Sequence, residues 1–159
     1  MQRVAALLEV VPHLEPTARP PVLDETLETA LGIDDDYDRA SALAQLAPHL
    51  GLHSARNRCQ EALSLALDAC LEIESIVQSA DRLATLATHA ASLLTPAQAY
   101  PLWRRAVLAL RGLSEAEVLA ALAALAPLIA YLGATAALDE LVEALEVSVS
   151  GGYALSRML

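Results

Sequence analysis

The chain has 159 residues and a formal net charge of −10, with 20 acids against 10 basic residues that are all arginine. It is 55 % apolar, which excludes a disordered chain, because that much burial offsets the entropy of ordering. The acidic balance argues against a nucleic-acid surface, which needs a basic face for phosphates, and the absence of lysine excludes Schiff-base or phosphate-loop lysine chemistry.

The N-terminal segment around Val4, Ala5, Leu7 and Leu8 reads as a helix. One charge and a short apolar run without a clear cleavage site do not make a signal peptide. A second helix carries Leu23, Leu27, Ala30 and Leu31 opposite Asp24, Glu25 and Glu28. Ala40 to Ala47 is apolar nearly all round, as a helix in the middle of a stack should be. From Ser54 to Glu72 the stripe Cys59, Leu63, Ala66, Leu67 and Cys70 faces a polar line, the three-and-four spacing of an amphipathic helix. The two cysteines fall on one face about 16 Å apart, too far for a disulfide within that helix. Two isolated thiols point to a reducing, cytoplasmic compartment.

Thr95-Pro96 predicts a helix start with proline at the first position. The stripe behind it is Ala99, Leu102, Trp103, Ala106, Val107 and Leu110, with Pro101 expected to kink the helix or to mark its real beginning. Val118 to Leu138 is uncharged over about the length of a membrane span. Pro127, Gly133, Thr135 and the alanine content favour two helices meeting at a turn near Gly133, with no membrane role. The next stripe is Leu138, Leu141, Val142 and Leu145 against Asp139, Glu140, Glu143 and Glu146. Gly151-Gly152 then breaks the chain before Tyr153. No run alternates with the period of two that marks a half-buried strand.

These elements repeat. Leu7-Leu-Glu-Val-Val-Pro-His-Leu14 returns as Leu43-Ala-Gln-Leu-Ala-Pro-His-Leu50, as Leu83-Ala-Thr-Leu-Ala-Thr-His-Ala90, and as Leu122-Ala-Ala-Leu-Ala-Pro-Leu-Ile129. The offsets are 36, 40 and 39 residues, the period of a helical array. Each unit holds this segment, helix A, and an amphipathic helix B. The fold expected is all-α: a short right-handed α-solenoid of about four stacked helical hairpins in one domain. Its repeats are drawn at residues 3–38, 39–78, 79–117 and 118–152, with a partial fifth at 153–159.

The string Ile33-Asp-Asp-Asp-Tyr-Asp-Arg-Ala-Ser-Ala-Leu-Ala-Gln-Leu-Ala-Pro-His-Leu50 resembles the bacterial I-x-D-x-x-x-R-A-x-A-L-x-x-L-A-P-H-L repeat of HEAT-like or tetratricopeptide-like arrays. The resemblance is close over this unit and partial over the first. The third and fourth units keep the Leu-Ala-x-Leu-Ala core and lose the acidic-arginine start. It implies a scaffold, or a regulatory or sensor subunit or fragment of a larger bacterial signalling or defence complex with an ATPase, protease or nuclease partner. It brings no catalytic residues.

His13, His49 and His89 share one repeat position and should form a ladder along one edge. Neighbouring helices sit 8–10 Å apart, whereas ligands of one zinc lie within about 4 Å of each other, so a shared metal is not expected. Such a histidine should instead bond the last carbonyls of its helix. Asp34, Asp35, Asp36 and Asp38 lack the alternation, glycine and distant glutamate of a calcium loop. One of them should cap the next A helix, with Arg39 paired to another. No Gly-x-Ser-x-Gly elbow accompanies the serines and histidines. Trp103, Arg104, Arg105 and Arg111 form a basic-aromatic cluster of the kind that anchors interfaces, although Trp103 also fits the stripe of its own helix.

The expectation is therefore a non-enzymatic interaction module with no catalytic residue, cofactor or metal. Residues 1–81 carry net −9 and residues 82–159 net −1, so a partner docking on the first half should be basic. The candidate contact residues are Asp34, Asp35, Asp36, Asp38, Trp103, Arg104 and Arg105. Leu155, Met158 and Leu159 join them, because an uncapped apolar end should self-associate or dock.

Overall fold

The structure, a computed structural model, describes residues 2–53, 56–111, 113–133, 137–139 and 141–142. All secondary structure among them is helical. Helix α1 (Gln2–Val10) runs into a 3-10 turn (Val11–His13), followed by α2 (Arg19–Leu31), α3 (Asp36–His53), α4 (Arg56–Glu72), α5 (Ile76–Leu93), α6 (Pro96–Ala109) and α7 (Glu115–Tyr131). Residues 137–139 and 141–142 are helical as well. The A helices are α1, α3, α5 and α7, and the B helices are α2, α4 and α6. Leu155, Met158 and Leu159, the Gly151-Gly152 break and the partial fifth repeat lie outside the described residues.

Helices α3, α5 and α7 begin in the same way. The Asp38 N–H donates to Asp35 Oδ1 at 2.8 Å, the Gln78 N–H to Ser75 Oγ at 3.5 Å, and the Glu117 N–H to Ser114 Oγ at 3.4 Å. Each bond satisfies one of the amide donors that a helix start leaves without a partner. These caps recur at the 40- and 39-residue spacing of the repeat. Helices α3, α5 and α7 thus begin at Asp36, Ile76 and Glu115, about one turn before residues 39, 79 and 118.

Two breaks resolve sequence alternatives. The uncharged stretch from Val118 is cut at Gly133, whose φ of 85° is open to glycine at little cost; among the described residues no helix is long and apolar enough to cross a membrane. Helix α6 starts at Pro96 and runs through Pro101 to Ala109. The later start at Pro101 does not occur, because Gln98 Oε1 accepts from both the Thr95 N–H and the Thr95 hydroxyl and secures the earlier one.

Among the described residues, every substantial helix–helix contact joins elements that are near neighbours in chain order: A to its own B, B to the next A, A to A, and B to B. One continuous apolar core runs from Val4 to Leu141. Its logic is clearest in the A helices. In α3 both faces are buried: Ala40, Ala44 and Ala47 on one, Leu43, Leu46 and Leu50 on the other. In α1 only the first face is covered, through Val4, Leu8 and Val11, and Val10, at the register of Leu46, is exposed. In α7 the covered face is the other one. Leu125 is buried, while Leu119, Ala123 and Ala126, at the register of Ala40, Ala44 and Ala47, are exposed. Helices α1 and α7 therefore bare opposite faces. Of the leucines in the repeated segments, Leu43, Leu46, Leu83, Leu86 and Leu125 are buried, and Leu122 is only half-buried.

Cys59 and Cys70 are both buried in α4 and unpaired. Burial raises both thiols; it pushes Cys70 up to about 12, against a smaller opposing pull from Arg82.

Leu86→Ala is expected to cost about 2–5 kcal/mol in urea unfolding, the transfer and cavity cost of a fully buried leucine. Leu122→Ala should cost less than about 2 kcal/mol, because its site already meets water. Neither thiol should react with iodoacetamide at pH 8 in the native protein, and both should react once urea unfolds it. The folded state holds the Cys70 proton more tightly than the unfolded chain, whose thiol has the ordinary value of 9.0. That contribution is complete below pH 9 and is lost as pH rises toward about 12. Wild-type stability should thus fall more steeply than that of Cys70→Ala above pH 9.

Candidate interaction surface

The B-to-A junctions, where α2 leads to α3, α4 to α5, and α6 to α7, lie beside one another along one edge. The caps that start the A helices sit there, and so do acids. At the first junction Arg39 pairs with Asp36, and its Nη1 donates to the Ile33 carbonyl at 2.9 Å, which closes the loop. At the second, the Ser79 hydroxyl donates to the Cys70 carbonyl at 2.9 Å and satisfies an acceptor near the end of α4. At the third, Glu117 Oε2 accepts from the Ser114 N–H at 2.7 Å, completing a reciprocal capping box. The Ser114 side-chain and backbone hydrogen bonds hold the Glu117 carboxyl below its ordinary range.

Two clefts separate these junctions. The first, of about 360 Å³, has Asp35, Asp36 and Tyr37 on one wall and Glu72, Glu74 and Gln78 on the other. The second, of about 150 Å³, lies between Leu71, Ile73, Ile76 and Leu83 on one side and Leu110, Leu113, Glu117 and Ala121 on the other. Its rim is apolar yet meets water: Ile76 is 43 % and Leu113 42 % exposed, and Val77 beside them 79 %. Behind the first cleft the Arg82 guanidinium lies 4.0 Å from the Tyr37 ring centroid. It also donates to the Tyr37 hydroxyl and to Ser41 Oγ, and pairs with Asp81 at 3.0 Å. This arginine ties α5 to α3.

A third concavity, open and about 480 Å³, lies across the A helices between Ala5, Leu8 and Glu9 of α1, Gln45, Pro48 and His49 of α3, and His89 of α5. The histidine ladder is thus only partly assembled. His49 and His89 share this groove, while His13 is exposed in the 3-10 turn and does not line it. The Nδ1 of His89 is buried without a hydrogen-bond partner, so that atom does not make the expected bond to a terminal carbonyl. Among the described residues no group of three or more metal-ligating side chains converges.

The remaining candidates separate by environment. Asp34 and Asp35 are exposed, and Asp36 and Asp38 partly so. Asp35 is the cap and Asp36 the partner of Arg39, as the sequence leads one to expect. Trp103 is fully buried in the stripe of α6, with its indole N–H unpartnered; its ring is inside the core and presents no anchor at the surface. Arg105 reaches back to Ser64 and Asp68 of α4, and Arg58 reaches back to Asp24 of α2. Arg105 is thereby a tie between B helices. Arg104 is exposed. Residues that sequence reasoning passed over, Glu72, Glu74, Ile76, Leu113 and Glu117, line the junction clefts. The signal for them was available: Ser75-x-x-Gln78 and Ser114-x-x-Glu117 are cap patterns, and they place these residues on the edge already occupied by Asp35.

The chain finds no match among protein-family models, curated proteins or solved structures.

Proposed function

We propose that the chain is a non-enzymatic protein–protein interaction module, a short right-handed α-solenoid of about four stacked hairpins of HEAT-like or tetratricopeptide-like type. The observation that carries this reading is that, among the described residues, the substantial helix–helix contacts join near neighbours in chain order, with opposite faces of α1 and α7 left bare. A stack held together in this way leaves long outer surfaces that its stability does not require, and repeat proteins use such surfaces for partners. The partner is another protein, basic where it meets residues 1–81. The buried, unpaired thiols support a reducing, cytoplasmic setting. A second, compatible reading is self-association through the ends, favoured by the exposure of Leu119, Leu138 and Val142.

Random peptides displayed on phage and selected on the immobilised full chain should converge on a sequence class that binds with a micromolar Kd by calorimetry. Failure of every selected peptide to bind below about 1 mM would overturn the module reading. Light scattering over a dilution series should show mass rising with concentration if the ends self-associate. A monomer at high micromolar concentration would remove that second reading alone.

A further inference from the structure

We infer that the junction edge is the docking surface, and that its occupant is a basic amphipathic helix of a partner protein. This rests on the interaction-module reading and assigns that module's site and ligand class.

The cleft between the second and third junctions supplies the apolar half. Its volume of about 150 Å³ suits a benzene-sized or large aliphatic group. Ile76, the first residue of α5, and Leu113, in the loop before α7, stand partly in water at its rim, and covering them is favourable by roughly 25 cal/mol per Å² of apolar surface. The carboxylates supply the polar half. Glu74 borders both clefts, Glu72 lies in the first and Glu117 in the second. Two of the nearby cations are engaged within the fold, Arg39 with Asp36 and the Ile33 carbonyl, Arg82 with Tyr37, Ser41 and Asp81; Arg111, exposed in the loop between α6 and α7, is the exception on this edge and lies by the second cleft, away from Glu72. Among the described residues Glu72 and Glu74 have no ion-pair partner. Their negative potential is left for whatever docks.

The occupant follows from this pairing of apolar cleft and acidic flank. Among the described residues there is no strand edge for an extended peptide to join, and a helix laid into a groove is the recognition mode that presents an apolar stripe beside a charged one. A nucleic acid or an anionic membrane would be repelled. A second copy of the chain would bring net charge −10 to an acidic edge. A helix with leucines on one face and arginines on the other satisfies both halves.

The probe is a synthetic helix of about 18 residues with leucine at i, i+3, i+4 and i+7 spacing and arginine elsewhere. A scrambled peptide of the same composition disperses the leucines. Calorimetry with the full chain at low salt should give a Kd of tens of micromolar for the helix and at least about fivefold weaker binding for the scramble. Glu72→Gln with Glu74→Gln should weaken binding about fivefold or more, and Ile76→Ser by a similar factor. Glu9→Gln, in the groove across the A helices, should leave it unchanged. Circular dichroism and urea midpoints check that each variant folds. No binding of the helix, equal binding of the scramble, or indifference to the Glu72/Glu74 and Ile76 changes would overturn the inference. If phage-selected peptides bind with micromolar affinity but ignore those same changes, the module stands and this site for it falls.

Discussion

An A helix that is apolar on both sides has to be covered on both sides. In α3 one side is alanine and the other leucine, and every one of those residues is excluded from water. The alanine side lets the neighbouring backbone come close, and the leucine side fills the space across from it. A single hairpin offers such a helix only one partner, so the requirement is met by placing the next A helix against it. Chain-neighbour packing, the bared faces of α1 and α7, and the alignment of the junctions along one edge all follow from that demand.

The junction edge owes its chemistry to helix starts. Three A helices begin with a side-chain cap from Asp35, Ser75 or Ser114, and acids are favoured in that first turn by the positive end of the helix dipole. Acids stand in the first turn of α3, as Asp36 and Asp38, and of α7, as Glu115 and Glu117, but not in that of α5. At the middle junction the acids, Glu72 and Glu74, come instead from the end of α4 and the loop after it. The apolar rim has a related origin. Ile76 and Leu113 flank the caps, where the chain turns too sharply for both sides of every residue to be covered.

The all-helical class and the core leucines were legible because period and burial are local patterns: Leu43, Leu46, Leu83 and Leu86 could be named from spacing alone. The cap at Asp35 and the turn at Gly133 were legible for the same reason. Trp103 shows the opposite case. Its surroundings on α6 allowed both an anchor and a core residue, and only its packing against the rest of the core decided for the interior. Arg105 was ambiguous because its partners, Ser64 and Asp68, lie about 40 residues earlier, on another helix. The first repeat misleads in another way. Val10 aligns with the buried Leu46 yet is exposed, since an alignment cannot tell an end helix from a middle one.

The charges of the molecule divide into those that the fold uses and those that it does not. Asp24, Asp36, Asp68 and Asp81 each face an arginine, and Asp35 and Glu117 cap helices. Such exposed pairs contribute about 0–1 kcal/mol apiece, so the fold is held by its leucines and alanines and not by its charges. Glu72 and Glu74 do neither job. They close a helix end and a loop where carboxylates meet the negative pole of α4, a slightly unfavourable placement for the fold. Both border the clefts of the junction edge, so their carboxylates add to its surface potential and not to its stability.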